Sequence, residues 1–285
     1  SIMENVIYNP DSERIVNGVR LRDPFGSNVI PKAKLDPIAL KIQNLIPKPT
    51  NTDNDQVTDN YVVPWRSPRL DSIGSFKLDH NLANGNLSLY YGVNRGTATQ
   101  SLDQEGDGFA TAVTSGRPTD VTAHTLQLNY DRSLSPTRVL HLGFGYQRAS
   151  WKQPSGYGAF NQSEELGLTG SQLNYFPYIT GLLSAMGGMK DMGMSMQGEA
   201  KMIKPSANGS MTWTRGNHIY KFGAEMRLEG YPAVVEYPAY GSLNFSADQT
   251  GLPSALGMNL EGGTVGFPYA SFLLGLVNQG DIGVV

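Results

Sequence analysis

Cysteine is absent from this 285-residue chain. Its absence excludes a disulfide scaffold and thiolate-bound zinc, and is neutral about compartment. Charge is scarce too, at 16% of residues, against roughly 25% in a typical soluble domain. The 22 basic residues do not outnumber the 25 acidic ones, so the basic excess of a general nucleic-acid binder is missing. No apolar run approaches the roughly 18 residues of a transmembrane helix. The opening SIMENVIYNP lacks the basic start and apolar stretch of a signal peptide. The chain is therefore expected to be unexported, or a processed or internal piece of a longer protein.

Turn residues and tyrosine are abundant: 33 Gly, 17 Pro and 14 Tyr. Tyrosine suits a boundary between water and an apolar phase, because one end is wet and the other dry. Residues 1–70 read as an irregular extracellular-loop region with one short helix at about 36–45. Asp36 is its expected N-cap and Pro37 its first helical residue.

From residue 71 onward one unit recurs three times: strand, very short turn, strand, long loop. Hairpins are expected at about 72–95, 121–150 and 206–229, and long loops at 96–120, 151–205 and 230–275. Apolar and polar residues alternate one by one, the mark of a two-faced strand. Leu126, Leu128 and Tyr130 oppose Gln127 and Asn129; Tyr220, Phe222, Ala224 and Met226 oppose Lys221, Glu225 and Arg227. In the first hairpin, Asn84-Gly85 is expected to supply the positive φ angles of a tight turn.

Alternation alone leaves two architectures open. A soluble or secreted β-rich surface binding module would pack the apolar face inward. A membrane barrel would turn that face to lipid and line a lumen with the polar one. Three features favour the barrel. The strands exceed the five or six residues usual in globular sheets and approach the roughly 9–11 of a spanning strand. Aromatics sit near strand ends, with Trp213, Tyr220 and Tyr130 by the short turns and Tyr146 and Trp151 toward the long loops, as interfacial girdles would require. Gly143, Gly145 and Gly223 on the polar face are expected to leave room for something inside. The expected fold class is all-β, part of a transmembrane antiparallel up-and-down barrel with short periplasmic turns and long extracellular loops. Residues 71–285 supply its hairpins, and Gln127, Asn129, Lys221, Glu225 and Arg227 its lumen-facing side chains.

Other chemistry is thin. Met186, Met189, Met192, Met194 and Met196 crowd one loop, and thioethers are soft Cu(I) ligands. No His or Cys accompanies them, so a flexible packing loop is favoured and no metal is expected. The four histidines have no ligand spacing. Asp103, Glu105 and Asp107 lack a calcium-loop pattern. No nucleophile–base motif, phosphate loop or cofactor fingerprint occurs, so no enzyme activity or cofactor is expected.

Several segments together resemble one family. Residues 7–51 look like the characteristic segment of Oar-like TonB-dependent receptors, with Ile7, Tyr8, Pro10, Pro24, Phe25, Asn28, Ile30, Pro31, Leu35, Pro37, Ala39, Pro47 and Pro49 matching. DHNLANGNLSLYY (79–91), SLSPTRVLHLGFGYQR, WTRGNHIYKFGAEMR and YASFLLGL (269–276) resemble later landmarks, in the family's order. Members often carry a carboxypeptidase-regulatory-like domain. The resemblance implies a barrel of about 22 strands, filled by an N-terminal plug. It implies outer-membrane lipid, the remaining strands and TonB-type inner-membrane machinery as partners, and an unknown small substrate. Plug, TonB box and a closing aromatic strand are not found between Ser1 and Val285, so an internal barrel fragment is expected.

Overall fold

The computed structural model describes residues 4–51, 58–62, 69–98, 109, 113–114, 119–153, 160–171, 173–194, 197–236, 240–256, 258 and 264–283. It begins with a small hairpin, β1 (Arg14–Val16) and β2 (Val19–Leu21), followed by α1 (Pro37–Gln43). Six long strands come next or intersperse with loops: β3 (Arg69–Leu82), β4 (Gly85–Ala98), β5 (Thr119–Ser135), β6 (Arg138–Gln153), β10 (Gln197–Arg215) and β11 (His218–Arg227). Each pairs antiparallel with its neighbour in chain order, and β12 (Ala233–Glu236) extends the far side of β10. At the loop ends β3, β4, β5, β6 and β10 run further than expected while β11 stops two residues short, and the sheet is a simple up-and-down meander.

Three short turns lie at one end and every long connection at the other. The β3–β4 ladder closes at Leu82↔Gly85, and Gly85 lies opposite Arg132. The β5–β6 ladder runs two pairs further, to Ser135↔Arg138. Arg138 lies opposite Trp213, and the β10–β11 ladder again runs two pairs further, to Arg215↔His218. Each hairpin thus reaches two positions past the last, roughly 6.8 Å of stagger across roughly 9.6 Å of sheet. With the turns in one plane, the strands tilt by about 35°, within the range of spanning barrels.

The register also sorts the faces. Tyr130–Leu142, Leu128–Phe144 and Leu126–Tyr146 are cross-strand pairs on one face. Leu78–Leu89, Phe76–Tyr91, Met211–Phe222 and Ala207–Met226 continue the same face over the other hairpins. It is bare: Phe76 is 57% exposed, Phe144 44% and Phe222 58%. A contiguous apolar sheet face of this extent needs an apolar phase against it.

Toward the long loops the two faces exchange character. Beyond Tyr146 the apolar face becomes His124–Arg148, Thr122–Ser150 and Asp120–Lys152. Over the same stretch the polar face becomes Ala123–Ala149 and Val121–Trp151, with Met202 and Ala200 beside them. No register shift separates the two regimes; the irregularity in this ladder lies at Ser133/Ser135, by the turn. A sandwich has no reason to invert its alternation within a continuous strand. A strand leaving lipid does: outside, hydrocarbon gives way to water, and inside, the wet lumen gives way to packed protein. From Leu140 to Tyr146 the lipid-facing stretch is roughly 20 Å along the strand.

The connections are more structured than loops. The described residues of 4–51, 113–114, 160–194 and 240–283 build a lobe with its own core. Ile42 of α1, Phe160, Phe176, Leu182, Met192 and Phe272 meet there, together with Ile179 of β7 (Tyr178–Thr180). Phe272 belongs to α3 (Pro268–Leu273), which α1 packs against, and a short α2 (Gln162–Glu165) precedes it in the chain. The strands β8 (Leu183–Ser184) and β9 (Gly187–Gly188) form a further hairpin. A short sheet joins β7, β13 (Ser242–Asn244) and β14 (Gln279–Asp281) from three distant segments. The region 1–70, expected to be irregular, is therefore largely part of a folded lobe. Its helix α1 is capped as expected, the Ala39 N–H donating to Asp36 Oδ1 at 2.8 Å.

One turn differs from expectation. Asn84 and Gly85 do not adopt positive φ; the hairpin turns on Ala83-Asn84 instead. Gly85 is there for close approach, since a Cβ on it would run into the Asp131 carbonyl. A hairpin turn with positive φ at both residues is Asn17-Gly18, at 52° and 79°, between β1 and β2.

The face exchange has a direct consequence. In the full-length protein in phospholipid vesicles, Leu128→Arg should lower unfolding free energy by about 2–4 kcal/mol, while Thr122→Arg should cost about 0–1 kcal/mol. Urea unfolding of both variants checks this; equal losses would contradict the lipid boundary.

Candidate functional site

On the polar face the register aligns the expected side chains in rows across three strand spacings. Asn129, Gly143, Asn208 and Glu225 form one row, and Gln127, Gly145, Ser206 and Arg227 the next. Lys221 lies opposite Thr212, nearer the turn. Polar pairs lie along this face: Lys77 with Asp79 at 3.0 Å, the His141 imidazole with Asp131 at 2.8 Å and Lys204 with Glu229 at 2.7 Å. Arg227 donates to Glu225 on the same strand. Such a face needs water or polar protein against it.

The glycines do not hold a space open here. A Cβ on Gly143 would come within 2.6 Å of Asn208 Nδ2, and one on Gly145 within 2.6 Å of Ser206 Oγ. The neighbouring strand's polar side chains fill the room those glycines leave.

The aromatics divide by face. Trp213 and Tyr220 pair on the apolar face beside the turn, ring centroids 5.8 Å apart, with the Arg138 and Arg215 guanidinium groups over the indole. Tyr130 and Tyr146 share that face, Tyr130 one row nearer the middle than the turn. Tyr91 joins Tyr146 at the loop-side boundary. Trp151 does not belong with them. It pairs with Val121 and Ala200 on the opposite face and packs near Tyr231, centroids 6.4 Å apart. Its closeness to the strand end suggested a girdle residue; its parity puts it inside.

The methionines are dispersed. Met192 is wholly buried in the lobe core, Met189 packs against that core, and Met186 is 47% exposed on a turn. Met194 is half-buried, its carbonyl accepting from the Tyr240 hydroxyl at 2.6 Å. Met192 and Met186 thus face no common surface where a copper ion could bind. Met196 and the run Asp103, Glu105 and Asp107 lie outside the described residues.

The lobe holds a cavity of about 340 Å³, which sequence patterns did not reveal. Gln162, Ser171, Tyr240, Ser242, Asp281 and Ile282 are among its walls, drawn from the connection between β6 and β10 and from two stretches of the segment after β12. Gln162 is buried, and its amide donates to the carbonyls of Tyr175 at 3.0 Å and Tyr240 at 2.7 Å. These bonds tie two walls together. The mixture of apolar wall, hydroxyls and one carboxylate suits a small polar ligand.

The N-terminal hairpin is fastened to the lobe by Arg22. Its Nη1 donates to the carbonyls of Gln249 at 2.8 Å and Gly251 at 3.0 Å, while Glu13 holds the other side of the guanidinium. Hydrogen bonds from Arg20 and then Arg22 keep the Glu13 carboxyl below its ordinary range. Arg14 does the same for Asp23.

A tilted meander with a bare apolar face, a paired polar face and loops gathered at one end defines an outer-membrane β-barrel protein. The sequence bears this out by family: residues 1–284 match the model for the outer membrane beta barrel domain, and the chain belongs to that family. It is a protein of the bacterial outer membrane. No curated protein and no solved structure matches it.

Acid should loosen the hairpin first. Glu13 and Asp23 have lowered folded-state values, so their contribution is complete above the unfolded values near 4 and is lost as pH falls through the lowered ones. Amide exchange over 14–21 should accelerate below about pH 4 while the barrel strands stay protected. Arg22→Ala should produce the same local opening at neutral pH, at a cost on the order of 1–3 kcal/mol for the carbonyls it leaves.

Proposed function

We propose that this chain is part of a TonB-dependent receptor of the Oar-like group, which takes up a small substrate through a plug-gated barrel. The observation that carries the proposal is the polar face with its pairs Lys77–Asp79, Asp131–His141 and Lys204–Glu229. In a membrane such a face requires an enclosed wet lumen or a polar filling. The sheet is open, with β3 and β11 at its edges among the described residues. Unpaired edges are not tolerated in hydrocarbon, so further strands complete the barrel and a plug meets Lys221, Glu225 and Gln127. The family landmarks support the same reading. Tyr8, Phe25 and Ala39 of the first landmark and Phe272 of the last are buried residues of the lobe, so the shared pattern encodes a cap over the barrel mouth.

In this mechanism the lobe receives the substrate, its cavity being the first contact. Inner-membrane machinery then pulls on the plug from the periplasm and opens a path along the polar face. Titration of the full-length protein with the periplasmic domain of the inner-membrane energising protein tests this. Saturable binding that disappears when the N-terminal motif is removed is expected; no binding would argue for a passive barrel.

A further inference from the structure

Where the apolar face ends, a compact grid of donors takes over. Arg95 of β4 lies opposite Thr122 of β5, and Thr122 opposite Ser150 of β6. One row closer to the membrane middle, His124 lies opposite Arg148. The row below is Tyr91, Leu126 and Tyr146, still apolar in body. The Tyr91 hydroxyl and His124 Nδ1 are 2.8 Å apart, which fixes the imidazole and leaves its other nitrogen free to turn outward. Arg95 and Arg148 are exposed and have no acidic partner among the described residues. Of the acids beyond them on this face, Glu199 is taken by Lys201 at 3.1 Å and Lys152 at 3.6 Å. Asp120 lies one row past Thr122, on the side away from His124.

We propose that Arg95, His124 and Arg148 form a binding site for the anionic phosphate headgroup of an outer-leaflet lipid. The chemistry fits on each count. Guanidinium groups bind phosphate oxygens through paired N–H donors. Thr122 and Ser150 add hydroxyls between them, and Val93 beside His124 and Leu126 in the row below offer apolar surface to the acyl chains. Facing outward at the lipid edge, the grid is open to a headgroup and turned away from the lumen. The lipid would hold β4, β5 and β6 together at the level where the barrel emerges.

Native mass spectrometry of the full-length protein in detergent, titrated with phosphatidylglycerol, phosphatidylcholine or inorganic phosphate, tests the site. Phosphatidylglycerol should bind preferentially. Arg95→Ala with Arg148→Ala should weaken it about 25-fold, roughly fivefold for each arginine near a charged membrane surface. Lys221→Ala with Arg227→Ala, removing two charges from the other face, should leave it unchanged. Folding of each variant is checked by its mobility before boiling. Should the double alanine variant not fold, Arg95→Lys with Arg148→Lys replaces it, with binding several-fold weaker because lysine lacks the planar fork. Equal phosphatidylglycerol affinity in the protein and in the folded arginine variant would overturn the site. Inorganic phosphate binding as tightly as the lipid would make it a soluble-anion site and overturn the lipid assignment.

Discussion

Hydrocarbon offers a backbone no hydrogen bonds, and the rest of this structure follows from that constraint. Every N–H and C=O at membrane depth must be satisfied within the protein. The long strands meet the demand with continuous ladders, unbroken from Asp120↔Lys152 to Ser133↔Val139 and from Gly198↔Gln153 to Trp213↔Arg138. Continuous ladders fix parity, and parity decides which side chains meet lipid. The turns are short because they have only to reverse the chain. The long connections, all at one end, are free to fold on themselves.

They fold into a lobe whose core is contributed by segments more than 200 residues apart, such as Ile42 and Phe272. Burying side chains of that size stabilises by roughly 1.5–3 kcal/mol each. A lobe of this kind can hold a shaped cavity, as loosely ordered loops cannot. Arg22 places polar bonds where the N-terminal segment meets the segment after β12, and the Thr250–Ser271 hydroxyl pair, 3.1 Å apart and buried, ties that latter segment to itself.

How much of this was legible in the sequence depends on the range of the forces. Alternation is local, so the faces of Leu126–Tyr130 and Tyr220–Arg227 could be read directly. The rhythm of short turn and long loop gave the up-and-down topology. Trp151 was misassigned because nearness to a strand end is a weaker guide than parity, which runs unbroken through β6. Asn84-Gly85 looked like a positive-φ turn, but its glycine answers to the neighbouring strand, a contact visible only once β5 is in place. Asn17-Gly18 has the same dipeptide with the backbone expected of it. The lobe was illegible for a further reason: its contacts carry no periodicity, and Met192 reads as a loop methionine until Ile179 and Leu182 surround it.

The central claim is that the apolar face is the outside. These strands carry no cysteine of their own, so a thiol placed in them reports its own surroundings. Single substitutions Leu126→Cys, Gln127→Cys, Leu128→Cys and Asn129→Cys in the full-length protein, each labelled with a small fluorophore and placed in vesicles carrying nitroxide-bearing lipids, report contact with acyl chains. Strong quenching at 126 and 128 and little at 127 and 129 is expected. Quenching of the odd positions, or of none, would show that the apolar face packs inward and would contradict the barrel.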